Sequence, residues 1–248
     1  MKTVQVTLSQ DQIEAFYHDH FVASQVRNYQ SLLNPRLPRP RAVVDIGGGC
    51  GFFAQGLKAA AGVDVRVIDM DPVSVQACRA KGLDASVDDA LRPQHRGDED
   101  VVCLNLILHH LVGPDEDATL ALQQQALASW LGHARWIFVD EYIYDAWFGN
   151  VAGHMIYAIT SSRTLSHIDA AVSRWVPSLR ANTFGVGVRF CARDEWCRIF
   201  KGLGYKVVVS VRGPEEGVSA ARRLLLIRGC RRDSFLLAPA NPKPESSA

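Results

Sequence analysis

The chain has 248 residues, 48% of them hydrophobic and 21% charged, which is enough apolar material for a sizeable core and excludes disorder along its whole length. Its 27 basic and 26 acidic side chains leave a formal net charge of +1, so it does not read as a polyelectrolyte binder and nucleic acid is not an expected partner. Six cysteines without a CxxC pair, several inside apolar runs, argue against a zinc site or a disulfide framework and suit a reducing, cytoplasmic compartment.

The first residues lack the apolar core of a secretory signal. The longest apolar runs are far too short to span a bilayer, so no membrane partner is expected. Residues 9–33 read as a helix, with Ser9 and Gln12 as a capping box and Val22, Val26, Tyr29 and Leu33 at helical spacing. Three prolines between Asn34 and Arg41 stop it and form a stiff connector with solvated arginines. Residues 1–40 are therefore expected to form a helical cap and linker. Strand and helix then alternate: strands at Arg41–Ile46, Val63–Asp69, Ala85–Val87, Val101–Leu106 and Trp136–Val139, and helices at Phe52–Ala61, Pro72–Ala80 and Asp115–Leu131. Continuous apolar strands separated by helices predict a parallel sheet covered on both faces, an α/β doubly wound fold.

Residues 141–190 break this rhythm and read as an inserted, partly helical lid or substrate wall, rich in aromatic residues such as Trp147, Phe148, Tyr157 and Trp175. Trp196, Ile199, Phe200 and Leu203 mark an amphipathic helix ended by Gly204. Tyr205–Val211 and Arg222–Ile227 read as two last strands. The domain is expected to close near residue 237, with residues 238–248 a disordered tail. Arg222, Arg223, Arg228, Arg231 and Arg232 read as a solvated edge that discourages sheet pairing.

The most informative stretch is Val43-Val-Asp45-Ile-Gly47-Gly-Gly49-Cys-Gly51, which leaves a strand and enters a helix. Glycines there allow a tight turn and close approach of backbone to a ligand, and the helix start offers free N–H groups. Asp69 ends the next strand, where a carboxylate can accept the hydroxyls of a ribose. A cofactor containing a nucleoside is therefore expected at the carboxyl edge of the sheet. Gly49-Cys-Gly51-Phe-Phe-Ala54 also satisfies a relaxed GxGxxA pattern, so a nicotinamide-dependent oxidoreductase is a rival. Asp45 opposes that reading: a carboxylate before the glycines would face a pyrophosphate, whereas it suits the cationic amino group of an amino-acid moiety.

Asp45-x-Gly47-x-Gly49-x-Gly51 resembles the first motif of the class I S-adenosylmethionine-dependent methyltransferases. Val67-Ile-Asp69-Met-Asp71-Pro, Val87-Asp-Asp89-Ala90, Asn105-Leu-Ile-Leu-His109-His110 and Asp194 through Tyr205 are similar to later motifs in the same order. The resemblance covers roughly residues 41–228. It implies a Rossmann-like seven-stranded sheet in the order 3-2-1-4-5-7-6 with the last strand antiparallel, and S-adenosylmethionine as cofactor. It implies that Asp45, Gly47, Gly49 and Gly51 line the amino-acid and ribose part. Asp69 would take the ribose, with Asp71 its rival and Met70 against adenine. Asp89 and Ala90 would meet the adenine edge, and Asn105 and Leu106 would lie near the sulfonium. Tyr17 of the cap helix would reach the carboxylate region.

For a hydroxyl acceptor a general base is needed, and candidates end the fourth and fifth strands: His109, His110, Asp140 and Glu141. His110 is favoured, with Glu141 orienting it or binding the acceptor. Adjacent histidines chelate poorly, so no metal is expected. The reading is a methyltransferase for a small aromatic or apolar acceptor, O-methylation first and N- or C-methylation behind. A nicotinamide enzyme and a non-catalytic cofactor-binding protein are the alternatives, and a homodimer is compatible with each.

Overall fold

The computed structural model describes residues 19–37, 39–161 and 188–241. Ser9, Gln12 and Tyr17 lie outside the described residues, as does the expected lid from residue 162 to 187. Helix α1 (Asp19–Leu33) is followed by β1 (Val43–Ile46), α2 (Phe52–Ala61), β2 (Val65–Asp69), α3 (Pro72–Ala80), β3 (Asp84–Val87) and β4 (Val101–Asn105). A 3-10 turn at Leu108–His110 leads to α4 (Glu116–Ala128), β5 (Trp136–Ala146) and α5 (Val151–Ser161). Then come α6 (Arg193–Gly202), β6 (Tyr205–Arg212), α7 (Ala220–Leu224) and β7 (Ile227–Pro239).

The seven strands form one sheet in the order β3-β2-β1-β4-β5-β7-β6. β1 to β5 are parallel, and β7 runs antiparallel between β5 and β6. The apolar runs of β1 and β4 are buried because helices cover both faces of the sheet. On β5, alternation sends Phe138 to one core with Tyr29, Phe53, Leu57 and Cys103, and sends Val139 to the other with Trp130, Trp196, Phe200 and Phe235. In the first core the rings of Tyr29, Phe53 and Phe138 stand 5.5 to 6.4 Å apart.

α1 docks on this layer with apolar and polar contacts together. A Cβ on Gly56 of α2 would lie 3.0 Å from a Val22 methyl and 3.2 Å from one of Val26, so the two helices pack closely at this glycine. Asp140, buried beneath the helix, accepts from Ser234 Oγ at 2.5 Å and Gln25 Nε2 at 3.2 Å. Asn28 Nδ2 donates to Ser234 Oγ at 2.9 Å, and Arg232 donates to Ser24 Oγ at 3.0 Å.

Several expected bounds are corrected. β5 continues to Ala146, so the first six residues of the expected insertion are strand. α4 ends at Ala128, and Leu131 lies exposed beyond it. Residues 222–224 of the expected last strand belong to helix α7, capped when Ser219 Oγ accepts the Arg222 N–H. The real last strand runs to Pro239, so Ala238 and Pro239 of the expected tail are paired. β7 is interior, so Arg231 is no solvated edge residue: it is buried and donates to Asp233 Oδ1 at 3.0 Å and to Asp145.

Candidate functional site

Gly47 follows β1 with φ +65°, and a Cβ there would lie 2.0 Å from Ile107 Cδ1, so only glycine fits the turn. Gly51 starts α2 with φ +76°. Between them the Gly49 N–H donates to Asp69 Oδ2 at 2.9 Å, and Asp69 Oδ1 accepts the Asp71 N–H at 2.8 Å. Asp69, half-buried at the end of β2 and expected from the sequence to take a ribose, thus also braces the glycine loop. Burial raises its pKa, against the lowering effect of those N–H groups. Asp71 is spent as the N-cap of α3, accepting the N–H groups of Val73 at 3.1 Å and Ser74 at 3.0 Å. Met70 is exposed beside them. After β3, Asp88 accepts the N–H groups of Asp89 and Gln94, each at 2.8 Å, while Asp89 Oδ1 accepts that of Leu91 and Ala90 is buried.

Asp45 is fully buried at this carboxyl edge. Its Oδ1 accepts Asn105 Nδ2 at 2.9 Å, and its Oδ2 has no partner. Asn105 Oδ1 is likewise unpartnered. Burial pushes the Asp45 carboxyl up to about 7, with the Asn105 hydrogen bond opposing and Asp69 adding. An orphaned buried carboxylate oxygen costs about 1–3 kcal/mol, a cost that a bound cationic group would remove. The residues present therefore fit a cofactor with an amino-acid end. Next to Asn105, Leu106 adopts φ +55°, a left-handed conformation that disfavours a non-glycine residue, pinned as its N–H donates to the Asp140 carbonyl at 2.8 Å.

The 3-10 turn after β4 brings His109 against Glu141 of β5. Glu141 Oε2 lies 2.7 Å from His109 Nδ1, and Glu141 Oε1 accepts the Leu108 N–H at 2.7 Å. Glu141 thus holds His109, not His110 as expected from the sequence; His110 is exposed, its ring centroid 4.1 Å from that of His109. Burial pushes the Glu141 carboxyl up to about 8 and the His109 imidazolium down to about 3. With both groups in one dry pocket, charge on either is disfavoured.

Residues distant in the chain complete the site. The Arg189 N–H donates to the His109 carbonyl at 3.1 Å, and Phe190 stacks on the His109 ring at 4.9 Å. Tyr144 stacks on Phe190 at 4.3 Å, and Tyr142 lies edge-on to His109 at 6.2 Å. The Arg189 side chain is buried and donates to Glu116 at 2.9 Å and Glu195 at 2.6 Å, fixing this segment to α4 and α6. No spacing in the sequence marks Arg189 or Phe190. Trp147 and Phe148, read as part of a lid or substrate wall, are 63% and 70% exposed.

No protein-family model matches the chain. It is 34% identical over 112 residues to a ribosomal protein L11 methyltransferase from Symbiobacterium thermophilum, a match spanning 42% of this chain and 37% of that relative. Among solved structures, a magnesium protoporphyrin IX methyltransferase from Synechocystis with bound SAH aligns with a TM-score of 0.55 at 13% identity, covering 96% of this chain and 90% of the other. The [4+2]-cyclase SpnF aligns with the same TM-score and identity over 88% and 82%. The fold thus also carries a chemistry that its name does not call methyl transfer. Identity this low speaks for the fold alone: the chain has the Rossmann-like fold found in S-adenosylmethionine-dependent methyltransferases.

Proposed function

We propose that the chain binds S-adenosylmethionine and methylates a hydroxyl of a small aromatic acceptor, with His109 as the group that takes the hydroxyl proton. The observation that carries this is the buried His109–Glu141 pair, made between the turn after β4 and β5, with β4 lying next to the strand that carries the unpaired Asp45 oxygen. Asp45 and the loop glycines Gly47, Gly49 and Gly51 would hold the amino-acid end of the cofactor. Asp69 and Met70 would hold the ribose and one adenine face, Asp89 and Ala90 the adenine edge, and Asn105 and Leu106 would lie beside the sulfonium. When bound, the cofactor supplies an electrophilic methyl group.

The protein's own part is alignment, exclusion of water and movement of one proton. With Glu141 protonated, its hydroxyl donates to His109 Nδ1, so the imidazole proton sits on Nε2 and no lone pair faces outward. Loss of one proton from the pair puts the imidazole proton on Nδ1, donating to the Glu141 carboxylate. Nε2 is then free to accept from a hydroxyl. Phe190, Tyr144 and Tyr142 give the neighbourhood of His109 a ring-rich wall suited to a planar acceptor.

Calorimetric titration with S-adenosylhomocysteine and, separately, NADH tests the cofactor. Binding of the former alone is expected; binding of NADH alone overturns the reading. Transfer of labelled methyl from S-adenosylmethionine to a panel of phenols and catechols then tests the reaction. Products methylated only on nitrogen or carbon across matched amine and enol panels would remove the base from His109.

A further inference from the structure

Apart from the site, the far end of the β5–β7 ribbon carries an apolar tip. Trp147, Phe148 and Leu224 are 63%, 70% and 81% exposed. They belong together: the Trp147 N–H donates to the Leu226 carbonyl at 3.1 Å, and Ala146 pairs with Ile227, so the turn after β5 abuts the end of α7. Beside them stand Arg222, Arg223 and Arg228, which make no ion pair among the described residues. The neighbouring acids are partly engaged elsewhere, Asp145 with Arg231 and Glu215 with Arg212 at 2.7 Å; Glu216 lies half-buried against Cys230.

We propose that this tip docks on the surface of an anionic lipid bilayer. Three exposed side chains are far too few for a stable protein interface, which buries about 800 Å² per partner. A second copy joined tip to tip would set arginines against arginines. An anionic bilayer meets both halves of the surface: the indole, phenyl and leucyl groups enter the headgroup boundary while the guanidinium groups face lipid phosphates. Each such cation contributes about 1 kcal/mol at an anionic surface. Among the described residues no helix is long and apolar enough to cross a membrane, and docking of this kind needs none. The inference does not depend on methyl transfer.

Flotation of the full chain with vesicles of phosphatidylcholine alone, or mixed with phosphatidylglycerol, tests it. The wild-type chain is expected to float with the anionic vesicles and to be released as salt is raised. Trp147→Ser combined with Phe148→Ser should lower partitioning about tenfold or more, and Arg223→Glu with Arg228→Glu should abolish the preference for anionic lipid. Both variants should keep the wild-type melting temperature and S-adenosylhomocysteine affinity. Quenching of wild-type tryptophan emission by brominated lipid reads insertion without any substitution. Absence of wild-type binding, equal partitioning of the Trp147/Phe148 variant, or a dimer in sedimentation that this variant dissolves would each overturn the proposal, the last in favour of a second copy.

Discussion

At the scale of single residues, the site is built around carboxylates placed where water cannot serve them. Glu141→Gln keeps the shape and the acceptor for the Leu108 N–H, but its amide must donate to His109 Nδ1. That fixes the imidazole proton on Nε2 at every pH. Turnover of a hydroxyl acceptor should fall about 10²–10⁴-fold while affinity for S-adenosylhomocysteine stays at the wild-type value. In the wild-type chain, kcat should rise with pH to an apparent midpoint near the value of about 8 to which burial lifts Glu141. A flat wild-type profile, or a Gln variant of full activity, removes the pair from catalysis. Asp45→Asn removes a charge that is buried with one oxygen unpaired. The unliganded variant should be more stable than wild type at pH 8, by about 1–2 kcal/mol in urea unfolding, and should lose most of its cofactor affinity. The placement of Asp45 was legible in the sequence because it is local: an acid before a glycine turn near a strand end. Phe190 and Arg189 were not, because their contact with His109 spans some eighty positions and is made by folding alone.

At the scale of elements, the parallel strands and β6 were readable and β7 was not. β1, β2 and β4 are buried on both faces, so their strands are continuous apolar runs that announce themselves. β7 is equally interior, yet its middle reads Arg231-Arg232-Asp233-Ser234, which looks like surface. Charge is tolerated there because it is paired. Arg231 and Asp233, both buried, are joined at 3.0 Å, Arg193 reaches Asp233 Oδ2 at 2.6 Å, and the Gly213 N–H donates to Asp233 Oδ1 at 3.1 Å. The apolar run Arg222–Ile227 drew the strand assignment instead, although Ser219 is a helix cap. The network makes a sharp stability prediction. Asp233→Ala leaves the Arg231 guanidinium buried beside a lost partner and should cost about 3–5 kcal/mol, read as a lowered urea midpoint at unchanged slope. A loss below about 1 kcal/mol would mean that the pair is effectively solvated, as an edge strand would have it.

At the scale of the whole molecule, burial raises the pKa of four acids near the carboxyl edge of the sheet: Asp45, Asp69, Asp140 and Glu141. Elsewhere Asp71, Glu99 and Glu116 are lowered by N–H groups, a hydroxyl and neighbouring cations. The two sets act on stability with opposite sign. The lowered acids contribute stability that is lost as pH falls through their folded values. A raised acid does the reverse: its contribution is full below the unfolded pKa and is lost as pH rises to the folded one. For Asp45 that window runs from 3.8 to about 7, and for Glu141 from 4.5 to about 8. The unliganded protein should therefore be most stable in mildly acidic solution and weaken towards pH 8. A ligand that sets a cation against Asp45 favours its carboxylate, so binding below about pH 7 must first strip a proton and weakens by up to about tenfold per pH unit. The rise in melting temperature produced by saturating S-adenosylhomocysteine should accordingly be larger at pH 8 than at pH 6. In Asp45→Asn, which has no proton to lose, the residual rise should be the same at both values. If the wild-type rise is also the same, the amino group of the ligand is not held by Asp45, and the unpaired oxygen at the end of β1 has another partner.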